Sequence, residues 1–180
     1  MSISRLLDQL AIQAGVALAE RSLMLATAES CTGGLVAAAI TDVSGSSGWF
    51  ERGFVTYSNE AKSTMIGVPA KLIRDHGAVS EEVARAMAEG ALLNSRAQVS
   101  LSITGVAGPN GGTADKPVGM VCFGWSNRIT TRTETQRFKG DRAQIRRQAA
   151  EHAMRGLLEL VRNEAFSVVT ALCGAAQPWR

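Results

Sequence analysis

Residues 22–43 read SLMLATAESCTGGLVAAAITDV, and the order of chemistry within them sets the expectation for the whole chain. Ser22 to Ala28 is a short apolar run of strand length, rich enough to be buried. The polar, glycine-bearing segment Glu29-Ser30-Cys31-Thr32-Gly33-Gly34 follows, and Leu35 to Val43 then reads as a helix. Strand, polar turn and helix in that order form the opening unit of an α/β domain. N–H groups at the start of such a helix lack intrahelical partners and sit at the positive end of its dipole. The turn can therefore hold an anion or a developing oxyanion. Gly33 and Gly34 carry no side chain, which lets a ligand approach the backbone closely.

Toward the N-terminus, Ile3, Leu6, Leu7, Leu10, Ala14 and Leu18 recur at helical spacing and predict an amphipathic helix over 3–20. In the other direction, SGSSG at 44–48 is a loop and GFVTY at 53–57 a second strand. Ser58 is set to cap a short helix through Lys62 to Ile66, and Val68-Pro69 ends it, with Pro69 opening the next piece. Ser80 before Glu81 and Glu82 predicts an N-cap with acids in the first turn of a helix reaching Asn94. VSLSIT at 99–104 and VGMVCFGW at 118–125 read as the third and fourth strands, and ITTRTETQRF at 129–138 as a partly exposed fifth. A long helix is expected from Asp141 to Asn163. Strands alternate with helices early and pair directly late. The expected fold class is therefore α/β, a single three-layer α/β/α domain with a mixed β-sheet over 1–165, followed by an unassigned tail at 166–180.

Composition narrows the function classes. The chain has 180 residues, 46% of them hydrophobic and 19% charged, which suits one domain with a full core and argues against disorder. The formal net charge is +3, but the arginines are spread. The densest basic stretch, Arg137 to Arg147, contains Asp141 and reads as a solvated helix face, so nucleic acid is not the expected partner. Cys31, Cys122 and Cys173 show no CxxC and no pairing pattern, which suggests reduced thiols. His76 and His152 lie far apart, and no HExxH, HxH or Cys/His cluster has metal-ligand spacing. That spacing argues against a structural zinc, and no cofactor is expected; without a leader or an apolar run of spanning length, the expectation is a soluble, cytoplasmic protein.

Three segments could carry chemistry. Ser30 is exposed to the helix-terminal field as a nucleophile would be, although Ser30 or Thr32 could equally serve as a plain helix cap. Cys31 competes, since a thiol at a helix start can have a lowered pKa; its ordinary reading is a small buried residue. The local sequence does not separate these neighbours. For a base, His76 stands at a helix end and His152 inside a helix, neither in a triad motif. Lys62, in Tyr57-Ser58-Asn59-Glu60-Ala61-Lys62 just after a strand, becomes a base if desolvated; otherwise it is an exposed helix lysine. Thr104-Gly105-Val106-Ala107-Gly108-Pro109-Asn110-Gly111-Gly112 follows a strand and offers N–H groups that could cradle phosphate. It matches neither the Walker nor the Rossmann pattern and could be a surface loop. Arg142, just after Gly140-Asp141, could reach a phosphate or carboxylate, whereas Arg146 and Arg147 read as solvated.

Taken together, AESCTGG (28–34), VTYSNEAK (55–62), GVPAKLIRDHGAVSEEVARAMAEGA (67–91), TGVAGPNGG (104–112), KPVGMV (116–121) and FKGDRAQIRRQA (138–149) resemble the CinA C-terminal domain family, in the family's order and in its stand-alone form. The resemblance implies an amidohydrolase that converts nicotinamide mononucleotide to nicotinic acid mononucleotide and ammonia in pyridine-nucleotide recycling. Carried over by motif, Ser30 is the nucleophile, Lys62 its base and Tyr57 a helper. Thr32, Gly33, Gly34, Asn59, Thr104, Gly105, Gly108 and Arg142 are the implied ligand contacts. The resemblance also implies a homodimer or larger assembly and no metal. A non-catalytic nucleotide-binding or regulatory domain of the same fold stays open as the alternative.

Overall fold

The apolar run of residues 22–28 becomes the second element in a computed structural model that describes residues 5–163. The element order is α1 (Arg5–Glu20), β1 (Leu25–Glu29), α2 (Leu35–Thr41), β2 (Phe50–Val55), α3 (Asn59–Ile66), α4 (Ala70–His76), α5 (Glu81–Leu93), β3 (Val99–Gly105), β4 (Met120–Ser126), β5 (Thr131–Arg137) and α6 (Arg142–Arg162). The strands form one sheet in the order β2-β1-β3-β4-β5. β1 pairs in parallel with both β2 and β3, while β3–β4 and β4–β5 are antiparallel, so the sheet is mixed as expected.

Alternation along β3 explains the three layers. Val99, Leu101 and Ile103 enter the core shared with α1, α2 and α6. Ser100 and Ser102 point the other way, and their hydroxyls donate to the carbonyls of Ala88 (2.7 Å) and Ala84 (2.6 Å) on α5. Small residues let α5 lie close: a side chain added at Gly124 would come 2.7 Å from the Ala84 carbonyl oxygen. The second core, beneath α3, α4 and α5, collects Ala26, Ala28, Phe54, Ile66, Ile73, Val83 and Met87.

Caps appear where residue chemistry demands them. Ser58 and Ser80 accept from the N–H groups of Ala61 and Val83, and Asp141 with Gln144 forms a capping box at the start of α6. Boundaries shift modestly. β1 starts at Leu25 instead of Ser22, because Ser22 sits at φ 53° in the preceding turn. β2 begins at Phe50, before GFVTY, and ends at Val55. Pro69 is the N-cap of α4 and not its first residue, and SGSSG contains a 3-10 turn at Ser46–Gly48. The proposed tail at 166–180, with Cys173, lies outside the described residues.

β1, β2 and β3 run parallel, so their carboxyl ends share one edge of the sheet. The chain leaves β1 through α2 on one face and leaves β2 through α3, α4 and α5 on the other. A crevice opens where connections part in this way.

Candidate active site

Ser30 is the first residue beyond β1 and is held from both sides. Its N–H donates to the Ile103 carbonyl of β3 (2.9 Å), and the Thr56 N–H beyond β2 donates to the Glu29 carbonyl (2.8 Å). The Ser58 cap sets the start of α3, and Lys62, one turn in, lies beneath that helix with 1% exposure. Its Nζ donates to Ser30 Oγ (3.0 Å) and to the Thr56 carbonyl oxygen (2.9 Å). Both partners are uncharged. Burial therefore pulls the Lys62 pKa below the ordinary lysine value, opposed only by the weaker influence of the Cys31 side chain. An amine so held has a neutral form within reach and a hydroxyl against it, which is the arrangement of a nucleophile with its base.

The turn after Ser30 differs from the expectation at several atoms. Glu29, 1% exposed, turns its carboxylate back over the start of α2 and accepts from the N–H groups of Gly34 (3.1 Å), Val36 (3.1 Å) and Ala37 (2.9 Å). The positive end of α2 is thereby occupied by the chain's own anion. Gly33 N–H donates to the Ser30 carbonyl (3.0 Å). The N–H groups of both glycines are thus already engaged, that of Gly34 by the acidic side chain that caps the helix and that of Gly33 by the Ser30 carbonyl. Both glycines do sit at positive φ, 61° and 91°, so the turn still requires them.

Arg146 is no solvated residue. It reaches across from α6, donating through Nε to the Cys31 carbonyl (3.1 Å) and through Nη2 to the Thr32 carbonyl (2.7 Å). The Cys31 side chain packs into the core on the α6 side, and burial pushes its thiol pKa up to about 12. That is the opposite of the lowered value a helix start could confer. Thr32 is fully buried, and its hydroxyl has no hydrogen-bond partner among the described residues.

The remaining candidates form a rim. Tyr57 is 60% exposed, and its hydroxyl accepts from Arg142 Nη2 (3.0 Å) and makes no hydrogen bond to Lys62. Arg142 Nη1 donates to the Gly108 carbonyl (2.8 Å), so one guanidinium joins the β2–α3 connection, the glycine loop and the start of α6. Asn59 is exposed at the start of α3. Thr104 turns its hydroxyl to the Ala78 carbonyl (2.7 Å), away from any open ligand role as donor. Gly105 is required by packing, since a Cβ there would meet Val121 Cγ2 at 2.7 Å.

Comparison with known proteins bears on this geometry. The sequence matches the CinA C-terminal domain over residues 7–161. The chain belongs to the CinA C-terminal domain family. A relative of this CinA domain in Escherichia coli (strain K12), the nicotinamide-nucleotide amidohydrolase PncC, is 54% identical over 152 residues, covering 84% of this chain and 92% of its own length. PncC of Enterobacter agglomerans is 47% identical over 159 residues, with 87% and 97% covered. A putative competence-damage inducible protein of Symbiobacterium thermophilum is 56% identical over 149 residues, or 78% of this chain; the match spans only 35% of that longer protein. The competence/damage inducible protein CihA from Agrobacterium tumefaciens superposes with a TM-score of 0.87 at 40% identity, covering 89% of this chain and 98% of its own.

Within this CinA domain, sequence reasoning singled out Ser30 and Lys62, which the fold brings into contact, and gave no role to Glu29, Thr56 or Arg146. Glu29 carried a usable signal, an acid just before a helix start. Arg146 did too: it stands four residues after Arg142, on the same face of α6. Thr56 acts through its carbonyl, for which side-chain chemistry offers no sign.

Proposed function

We propose that this CinA C-terminal domain is a nicotinamide-nucleotide amidohydrolase, hydrolysing the carboxamide of nicotinamide mononucleotide through Ser30 and Lys62. One observation carries the reading: a lysine with 1% exposure, bonded only to uncharged oxygens, lies 3.0 Å from the serine at the carboxyl edge of the sheet. The likeness to the PncC amidohydrolases supports the choice of substrate.

In the neutral state the Lys62 lone pair accepts the Ser30 hydroxyl proton while one amine hydrogen stays on the Thr56 carbonyl oxygen. Ser30 Oγ attacks the carboxamide carbon, and the C=O pair moves to oxygen. Lys62, now an ammonium, passes its proton to the departing nitrogen, so ammonia leaves and an acyl ester remains on Ser30. Water, deprotonated by Lys62, attacks that ester. The proton returns to Ser30 Oγ and the nicotinic acid nucleotide departs. Arg142 and the glycine loop at Gly108 would meet the phosphate, and Tyr57, bonded to Arg142 and not to Lys62, would face the substrate. The product fits a role in recycling pyridine nucleotides, and a homo-oligomer is the expected assembly.

Ammonia release from nicotinamide mononucleotide by the purified chain, beside Ser30→Ala and Lys62→Ala, tests the reading. Losing either member of such a unit is expected to lower kcat by about 10⁴-fold or more. Undiminished release by Ser30→Ala would eliminate the serine mechanism. A folded wild type that binds the nucleotide without turnover would favour the non-catalytic alternative.

A further inference from the structure

We infer that Tyr57 serves the phosphate end of the substrate together with Arg142, and that the pair selects a pyridine nucleotide over its nucleoside. This rests on the amidase reading above and stands in place of the helper role that the motif gives Tyr57. The settings of Tyr57 and the base differ. Lys62 is 1% exposed beneath α3 and directs its amine to Ser30 Oγ and the Thr56 carbonyl. Tyr57 is 60% exposed, and its hydroxyl takes its one hydrogen bond among the described residues from Arg142. Two bonds leave the Arg142 guanidinium three N–H hydrogens, and the Tyr57 O–H hydrogen has no acceptor among the described residues. These donors lie side by side on exposed side chains, where one phosphate dianion can accept from both.

Their placement follows from the sheet order. Tyr57 lies just beyond β2 and Gly108 just beyond β3, and β1, with Ser30 at its end, runs between those strands. Arg142 bonds to both flanks, to the Tyr57 hydroxyl (3.0 Å) and to the Gly108 carbonyl (2.8 Å), so its guanidinium bridges the end of the strand that carries the nucleophile. Arg146, one turn further along α6, fastens the helix to the Cys31 and Thr32 carbonyls just after Ser30. Arg142 is therefore rooted about 6 Å along α6 from that fastening. The offset is of the kind needed by a phosphate that a ribose separates from the carboxamide. Val118 packs where a side chain on Gly108 would stand, with Cγ1 at 2.6 Å, which fixes the carbonyl that anchors the guanidinium. An arginine held at two points gives up less side-chain freedom when the anion binds.

The test measures ammonia release by wild type, Tyr57→Phe and Arg142→Ala, with thermal melts of each. The substrates are nicotinamide mononucleotide and nicotinamide riboside, which keeps the carboxamide and lacks the phosphate. Tyr57→Phe keeps the ring and removes the hydroxyl. It is expected to raise KM for the nucleotide about tenfold with kcat held within about threefold, and to leave the riboside at its wild-type kcat/KM. Arg142→Ala is expected to raise KM for the nucleotide about 10²-fold. The double variant should lose little more than Arg142→Ala alone, because the hydroxyl works beside the guanidinium. Unchanged KM for the nucleotide in Tyr57→Phe would overturn the proposal while leaving the amidase reading intact. A loss carried by kcat, or equal on both substrates, would do the same and return Tyr57 to the chemistry. The nucleotide arm decides this even where the riboside turns over too slowly to measure. No turnover of the nucleotide by the folded wild type would overturn the amidase reading, and this proposal with it.

Discussion

Lys62 concentrates the pH chemistry of the molecule in one side chain. Its folded pKa is lowered by burial, so the folded chain holds that proton less tightly than the unfolded chain, where lysine titrates near about 10.4. Below the folded value the buried ammonium costs stability; as pH climbs through the window between the two values, that cost disappears and stability rises. Lys62→Met removes the charge and keeps the stem. It is expected to melt higher than wild type at pH below that window and to lose the rise, and parallel melting curves across pH would contradict this. The same proton governs rate: kcat is expected to fall as pH drops through the lowered Lys62 pKa, because only the neutral amine accepts from Ser30. Cys31 sits at the other extreme, with its thiol pushed up to about 12. Cys31→Ala should keep turnover, and iodoacetamide should leave Cys31 of the folded chain unlabelled near neutral pH, as read by mass spectrometry. Turnover lost in that variant would move the chemistry to the thiol.

At the scale of elements, the site depends on how closely α3 and α6 approach the sheet. α5 supports α3 through Gly90, where an added Cβ would lie 2.1 Å from the Ile66 carbonyl oxygen at the end of α3. Gly90→Ala is expected to cost about 1–3 kcal/mol, as overpacking does, and to lower kcat because α3 carries Lys62. Denaturant midpoints and ammonia release measured together check it; lost stability with full kcat would show that α3 is held without α5. At α6, Asp141→Ala breaks the capping box and should cost about 0.5–2 kcal/mol. These elements were largely legible in the chain. β3 alternates between apolar residues and hydroxyls, Ser58 and Ser80 cap where they were expected, and α6 spans nearly its expected range. What was missed at this scale was Arg146, one turn beyond Arg142 in α6, because an arginine on an amphipathic helix has the same sequence pattern whether it meets water or a distant carbonyl.

At the scale of the whole molecule, the candidate groups gather at one edge of the sheet. Ser30 follows β1, Thr56 and Lys62 follow β2, and the glycine loop follows β3. Nicotinamide mononucleotide added to Ser30→Ala should therefore slow amide exchange at 30–34, 56–62 and 105–119. At a ligand concentration near about 100 Kd it should stabilise the fold by about 2.7 kcal/mol. Protection confined to the opposite edge, around 22–25 and 94–98, would mean that the nucleotide binds elsewhere. Among the described residues no helix is long and apolar enough to cross a membrane.

The sequence by itself determined the α/β layering, the mixed character of the sheet and the helix starts, and it put Ser30 and Lys62 forward only as candidates carried by the family motifs. Those features rest on periodicity, local capping and motif, all of which are properties of neighbours along the chain. Only the tertiary structure decided that Lys62 touches Ser30 across 32 positions, that Glu29 occupies the start of α2, and that Arg146 holds carbonyls 114 and 115 positions away. The physical reason is desolvation at long range. Whether a lysine is desolvated, a thiol inert or a helix start already capped depends on what the rest of the chain packs around it, and no local pattern records that.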